Sequence, residues 1–138
     1  MPFTLHRQLD EDTHLVGDMP LCRVLLMNNT TFPWIILVPR CENMRELFDL
    51  EQADYATTME EVRFAARGFS MLTGAHKMNI AALGNKVPQL HIHVIARFEG
   101  DAAWPSPVWS HEGSGIMGYM PQEGAALIDK IRRALQLS

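Results

Sequence analysis

Apolar positions recur along the chain at two different periods, and the change from one to the other divides it into elements. Residues 21–27 and 34–38 are dense runs of branched apolar side chains. Between them, Asn28-Asn29-Thr30-Thr31 is favourable turn chemistry, so the two runs predict an antiparallel hairpin near the sheet centre. Pro33 and Pro39 bracket the second run and limit where it can donate ladder hydrogen bonds. From Met44 the period lengthens. Residues 44–48 predict one short helical turn, and Asp49-Leu50-Glu51-Gln52 has the form of a capping box for a helix that follows. Tyr55, Met59, Val62, Ala66 and Phe69 are spaced by four and three, which draws one apolar stripe toward the sheet, and Gly74 is its natural stop. Residues 77–83 predict a third strand, with Asn79 as its polar member, and Gly84-Asn85 turns the chain into a fourth strand at 89–98.

The ends of the chain carry weaker periodicity. Residues 1–20 are polar and mixed, with a Gly17-Asp18-Met19-Pro20 turn and at most a short helix or hairpin around 4–9. His6 and His14 fall here and read as exposed or locally bonded side chains. Residues 99–120 hold Trp104-Pro105-Ser106-Pro107-Val108-Trp109 and Gly113-Ser114-Gly115, which exclude a regular helix or a central strand. This is a loop suited to covering a pocket or a partner subunit, although tryptophans packed on the core fit it equally. Residues 121–135 predict a helix with Pro at its start, Glu123 in the first turn and Arg132-Arg133 in the last, in agreement with the helix dipole. Leu127, Ile131 and Leu135 form its buried edge. The expected architecture is α+β, an antiparallel sheet of about five strands with one long helix and a C-terminal helix, in a single domain over 1–138.

Composition narrows the function classes. At 138 residues, 47% hydrophobic and 20% charged, the chain has the balance of a globular protein with a substantial core. The formal net charge of −4 opposes broad electrostatic attachment to nucleic acid, so an anionic ligand must be held locally. No apolar run has the length of a signal peptide or a membrane span, which leads us to expect a cytoplasmic protein without a membrane partner. Cys22 and Cys41 form no CxxC or Cys/His cluster and read as free thiols.

One stretch resists a purely structural explanation. At the period of a strand, Val87-Pro88-Gln89-Leu90-His91-Ile92-His93-Val94-Ile95 puts Gln89, His91 and His93 on one face and Leu90, Ile92 and Val94 on the other. Burying two imidazoles and an amide is costly unless each finds a partner. Three readings stay open: satisfied structural histidines; a zinc pair completed from elsewhere, for example by Glu42 or His111; and nucleophilic catalysis by imidazole. In the last, one histidine attacks phosphorus and the second, if protonated, stabilises phosphate oxygens, with no need for a metal. Gly84-Asn85-Lys86, in a turn beside the strand, can present backbone amides to an oxyanion. Asn28, at a strand end, can face a ligand or close an Asx turn.

These residues resemble the histidine triad motif of the HIT superfamily of nucleotide hydrolases and transferases. Gly84-Asn85-Lys86-Val87 is similar to the Gly-Gln-Ser/Thr-Val preceding that motif, and Ile35-Ile36-Leu37-Val38-Pro39-Arg40 to the family's strand ending in Pro-Lys or Pro-Arg. The likeness covers roughly residues 20–98. It implies His91 as the nucleophile toward an α-phosphate and His93 as a contact to phosphate and bridging oxygen. It also implies Asn28 near the ribose hydroxyls, with Asn79 and Asn85 as phosphate contacts. Two departures stand out. Gln89 occupies the first triad position and cannot titrate, and Lys86 replaces a hydroxyl residue and would attract phosphate. The resemblance implies hydrolysis or transfer on dinucleoside polyphosphates, nucleoside phosphoramidates or related small nucleotides such as adenylylated compounds, a phosphoramidase-like chemistry with no cofactor, and a homodimer. The rival reading is a nucleotide-binding or sensing module with little turnover.

Overall fold

The computed structural model describes residues 3–111 and 117–137. Its centre is one five-stranded antiparallel sheet built from β1 (Thr13–Asp18), β2 (Cys22–Met27), β3 (Trp34–Pro39), β4 (Lys77–Ala81) and β5 (Ile92–Arg97). The spatial order is β1-β2-β3-β5-β4. The predicted hairpin of β2 and β3 forms with Leu25 opposite Ile36, and β3 then pairs with β5, setting Ile36 opposite His93. The β4–β5 hairpin closes the far edge with Ala81 opposite His93.

α2 (Gln52–Thr73) and α3 (Pro121–Ala134) cover one face of the sheet. Leu26, Ile35, Leu37, Val94 and Ala96 meet Val62, Phe69 and Ile131 there in one buried cluster. Gly74 ends α2 in the left-handed conformation, φ 70°, as its missing Cβ favours. The other face packs Leu25, Trp34, Ile36 and Ile95 against Leu9 of α1 (Arg7–Asp12), Phe32 and Val108. No helix among the described residues is long and apolar enough to cross a membrane.

Four expectations are corrected. β1 has no counterpart in the sequence reading, because Val16 is its one buried residue and a register shift between Leu15 and Gly17 breaks the alternation. Asp49 does not cap the long helix. Its carboxylate accepts from the backbone N–H of Arg45 (3.1 Å) and Glu46 (2.9 Å), closing the 3-10 turn Leu47–Asp49 instead. Within the helical stripe, Val62, Ala66 and Phe69 are buried, whereas Tyr55 and Met59 are 44% and 38% exposed. Their places in the interior are taken by Thr58 and Glu61. The Glu61 carboxylate accepts from the backbone N–H of Leu21 (3.0 Å) and Cys22 (2.7 Å), fastening α2 to the entry of β2. Finally, β5 begins at Ile92, so Gln89 and His91 precede the ladder and only His93 lies within it.

Candidate functional site

His91 and His93 are each 6% exposed, and their ring centroids stand 4.8 Å apart, edge to face. Alternation along the extended chain brings them to the same face, and register with Ile36 fixes the depth of His93. Each ring is oriented through its Nδ1. His91 Nδ1 is 2.7 Å from the carbonyl oxygen of Gln89, which only accepts, so this nitrogen carries the proton and the lone pair lies on Nε2. His93 Nδ1 accepts a 3.0 Å hydrogen bond from Trp34 Nε1, which only donates, so the His93 proton lies on Nε2. The two imidazoles thus present opposite atoms, a free lone pair beside an N–H donor.

Electrostatics favour the same neutral state. Burial pushes the His93 pKa down from 6.5 to about 4, with the neighbouring His91 acting in the same direction. His91 is lowered as well, chiefly by burial, against the raising effect of its bond to Gln89, and His6 adds to the lowering. A protonated His93, one of the options open in the sequence, would have to surrender the Trp34 bond and accept a charge in an apolar setting. The structure therefore supports a dipolar donor at this position.

The aromatic wall of the site comes from elsewhere in the chain. Trp109 packs edge-on against both His93 (5.0 Å) and Trp34 (5.6 Å). It arrives on the loop after β5, which Arg97 organises. That guanidinium, on a residue 1% exposed, pairs with Asp101 (2.8 and 3.0 Å) and donates to Asn79 Oδ1 and the Ser106 carbonyl, both at 2.8 Å. Trp104 packs instead on His76. Trp34 read in sequence only as a strand residue; the signal that singles it out is an indole donor on the strand registered against His93.

The remaining sequence candidates are distributed around this centre. The Gln89 side chain reaches away to the N-terminal segment, accepting from His6 N–H at 2.8 Å and donating to the Thr4 carbonyl at 2.9 Å. Asn28 Oδ1 accepts from Tyr119 N–H at 2.9 Å, and Asn79 Oδ1 is engaged by Arg97. Asn85 and Lys86 are exposed on the turn after Gly84, which has φ 68°. Gly84 and His91 line a cavity of about 200 Å³; Asn85 and Lys86 do not. His111 lies edge-on to Phe32, and among the described residues no group of three His, Cys, Asp or Glu side chains is arranged to hold a metal ion.

Comparison with known proteins gives a consistent outcome. The HIT domain family is matched over residues 8–100. A histidine triad protein from Marinobacter aquaeolei VT8 superposes with a TM-score of 0.94 at 43% identity, covering 100% of both chains. The histidine triad protein blr8122 from Bradyrhizobium japonicum gives 0.92 at 41% identity, over 98% of this chain and 99% of the other. A third, the HIT protein SMc02904 from Sinorhizobium meliloti 1021, gives 0.91 at 41% identity over 96% of each. No curated protein matches the sequence.

Proposed function

From the premise that the chain belongs to the HIT domain family, a membership that supports nucleotide binding or nucleotide hydrolase and transferase activity in general, we propose that it cleaves nucleotides at the α-phosphate through a covalent nucleotidyl-His91. The observation that carries this reading is the 2.7 Å bond between His91 Nδ1 and the Gln89 carbonyl. It leaves Nε2 unprotonated and fixes the ring, the two conditions an imidazole nucleophile needs at neutral pH.

In the first displacement the His91 Nε2 lone pair attacks phosphorus and the bond to the departing group breaks, its electron pair staying on that group. A polyphosphate leaves as the anion, and a phosphoramidate nitrogen leaves as the amine after taking a proton from water. His93 Nε2–H donates to the phosphate oxygens as their charge grows, held in aim by Trp34. Water or another acceptor then releases the nucleotide. Asn85 and Lys86, exposed beside this cavity on the Gly84 turn, meet the phosphate chain, and Gln89 acts as a support for its neighbours. Asn28 and Asn79 contribute through their amide N–H groups, since their oxygens are engaged. The substrates that suit this chemistry are dinucleoside polyphosphates and nucleoside phosphoramidates. Two free thiols, Cys22 and Cys41, agree with a cytoplasmic setting.

The proposed assembly is a homodimer of this single domain. β4 is a sheet edge, and Ile80 within it and Leu83 just after it are 50% and 48% exposed. Gly68 of α2 faces Ala134 and Leu135 at the end of α3, so the opposite flank, with Tyr55 and Met59, is turned toward that edge. A second copy related by a two-fold axis satisfies both the open ladder and the apolar flank. The function is tested by assaying adenosine and guanosine polyphosphates and phosphoramidates in chelator. Turnover by the wild type, lost by at least about a thousandfold in His91→Ala with nucleotide binding retained, is expected. Binding without turnover on every substrate supports the sensing module instead.

A further inference from the structure

Gln89 does something a triad histidine would not do: it clamps a separate segment of chain beside the nucleophile. Its carboxamide bonds residues 4 and 6 together, Oε1 to His6 N–H and Nε2–H to the Thr4 carbonyl. The clamp fixes the start of α1, where the His6 ring is oriented in turn. His6 Nδ1 accepts from the backbone N–H of Gln8 at 3.0 Å, so the neutral ring carries its proton on Nε2. His6, Arg7, Arg45 and Gln89 line a cavity of about 860 Å³, and the smaller cavity containing His91 and Gly84 shares Arg45 and Gln89 with it. Asp10 and Glu46 are the acidic residues lining the two. Space for a phosphate at His91 therefore adjoins space for a larger group walled by an imidazole and two guanidinium side chains.

We propose that His6, held by Gln89, is a third imidazole of the site and donates its Nε2–H to the anionic group that departs from phosphorus. The inference rests on the covalent mechanism above. As the His91 Nε2–P bond forms, the bond from phosphorus to the bridging oxygen breaks and its electron pair stays on that oxygen. The departing phosphate leaves as an anion and takes no proton, so a neutral donor suffices, and the His91 ring keeps its Nδ1 proton on the Gln89 carbonyl. The electrostatic influence of His6 on His91 agrees with this proximity. The assignment also accounts for Gln89: a side chain with both a donor and an acceptor closes the clamp, whereas a neutral imidazole, with one donor and one acceptor on opposite sides of a rigid ring, would not bracket residues 4 and 6 in the same way.

A helix cap is the competing role for His6, and the two separate by substitution. His6→Ser and His6→Asn keep a good cap but lose the Nε2 donor. Inorganic tripolyphosphate, a probe of the departing half, is titrated calorimetrically into wild type, both variants and His91→Asn. The expected result is binding by wild type and His91→Asn, weakened about tenfold or more in both His6 variants at unchanged melting temperature. Equal affinity in wild type and His6→Ser, or no binding by wild type, overturns the assignment. In parallel, the His6 variants should lose more kcat/KM on a dinucleoside polyphosphate than on an N-methylimidazolium phosphoramidate, whose leaving group departs neutral and takes no proton. Equal loss on both substrates also overturns it. A wild type that binds tripolyphosphate yet turns over neither substrate removes the covalent mechanism while leaving the His6 contact standing.

Discussion

At the scale of single residues, the chemistry rests on which nitrogen of each ring is tied. A neutral imidazole has one donor and one acceptor, and a partner at Nδ1 decides which of them Nε2 becomes. The carbonyl of Gln89 makes His91 Nε2 an acceptor, and the indole of Trp34 makes His93 Nε2 a donor. Trp34→Phe keeps the aromatic packing and removes the donor, so His93 loses its tautomer preference. A fall in kcat of about tenfold with little change in KM is expected in steady-state kinetics, the size of one hydrogen bond near a developing charge. The two histidines and their shared face were legible in the sequence because strand alternation is enough to find them. Trp34 was not, since its role depends on register with a strand about 60 residues away.

At the scale of elements, the site's outer wall depends on a loop held by a buried ion pair. Arg97 is enclosed, and Asp101 accepts from its Nε and Nη2 while also accepting backbone N–H bonds from Phe98, Ala103 and Trp104. The guanidinium holds the Asp101 carboxyl well below the usual carboxylate range. Asp101→Ala leaves Arg97 enclosed without its partner, and a loss of about 3 kcal/mol in chemical denaturation is expected. Turnover should fall with it, because Trp109 is carried on the same loop. The sequence marked this stretch as an irregular loop through its prolines and glycines, but what orders it is a side-chain network that no periodicity reports. The same is true of Glu61, a charged residue at a core position of α2, legible only once the N–H groups of Leu21 and Cys22 lie opposite it. Conversely, the β2–β3 hairpin, the stop of α2 at Gly74 and the C-terminal helix were readable because strong local patterns and end signals agreed with the global packing.

At the scale of the whole molecule, burial of two neutral histidines couples stability to pH. His93 titrates near 6.5 when unfolded and near 4 when folded, so between these values the unfolded chain binds more protons. Stability is complete above about pH 6.5 and falls as the pH drops toward 4, with His91 adding to the slope in the same direction. Urea midpoints measured across this window should decline toward acid in wild type, and less steeply in His93→Gln. The assembly is tested at the same scale. Wild type should sediment at twice its 15.6 kDa, and Ile80→Lys, which puts a charge at the β4 edge, at the monomer mass. The central claim, a nucleotide bonded to His91 Nε2, is tested most directly by intact-mass measurement after rapid mixing with a slow dinucleoside polyphosphate. A mass increase of one nucleoside monophosphate, mapped to His91 and missing from His91→Asn, is the predicted result; an adduct on another residue, or turnover in His91→Asn equal to wild type, would contradict it.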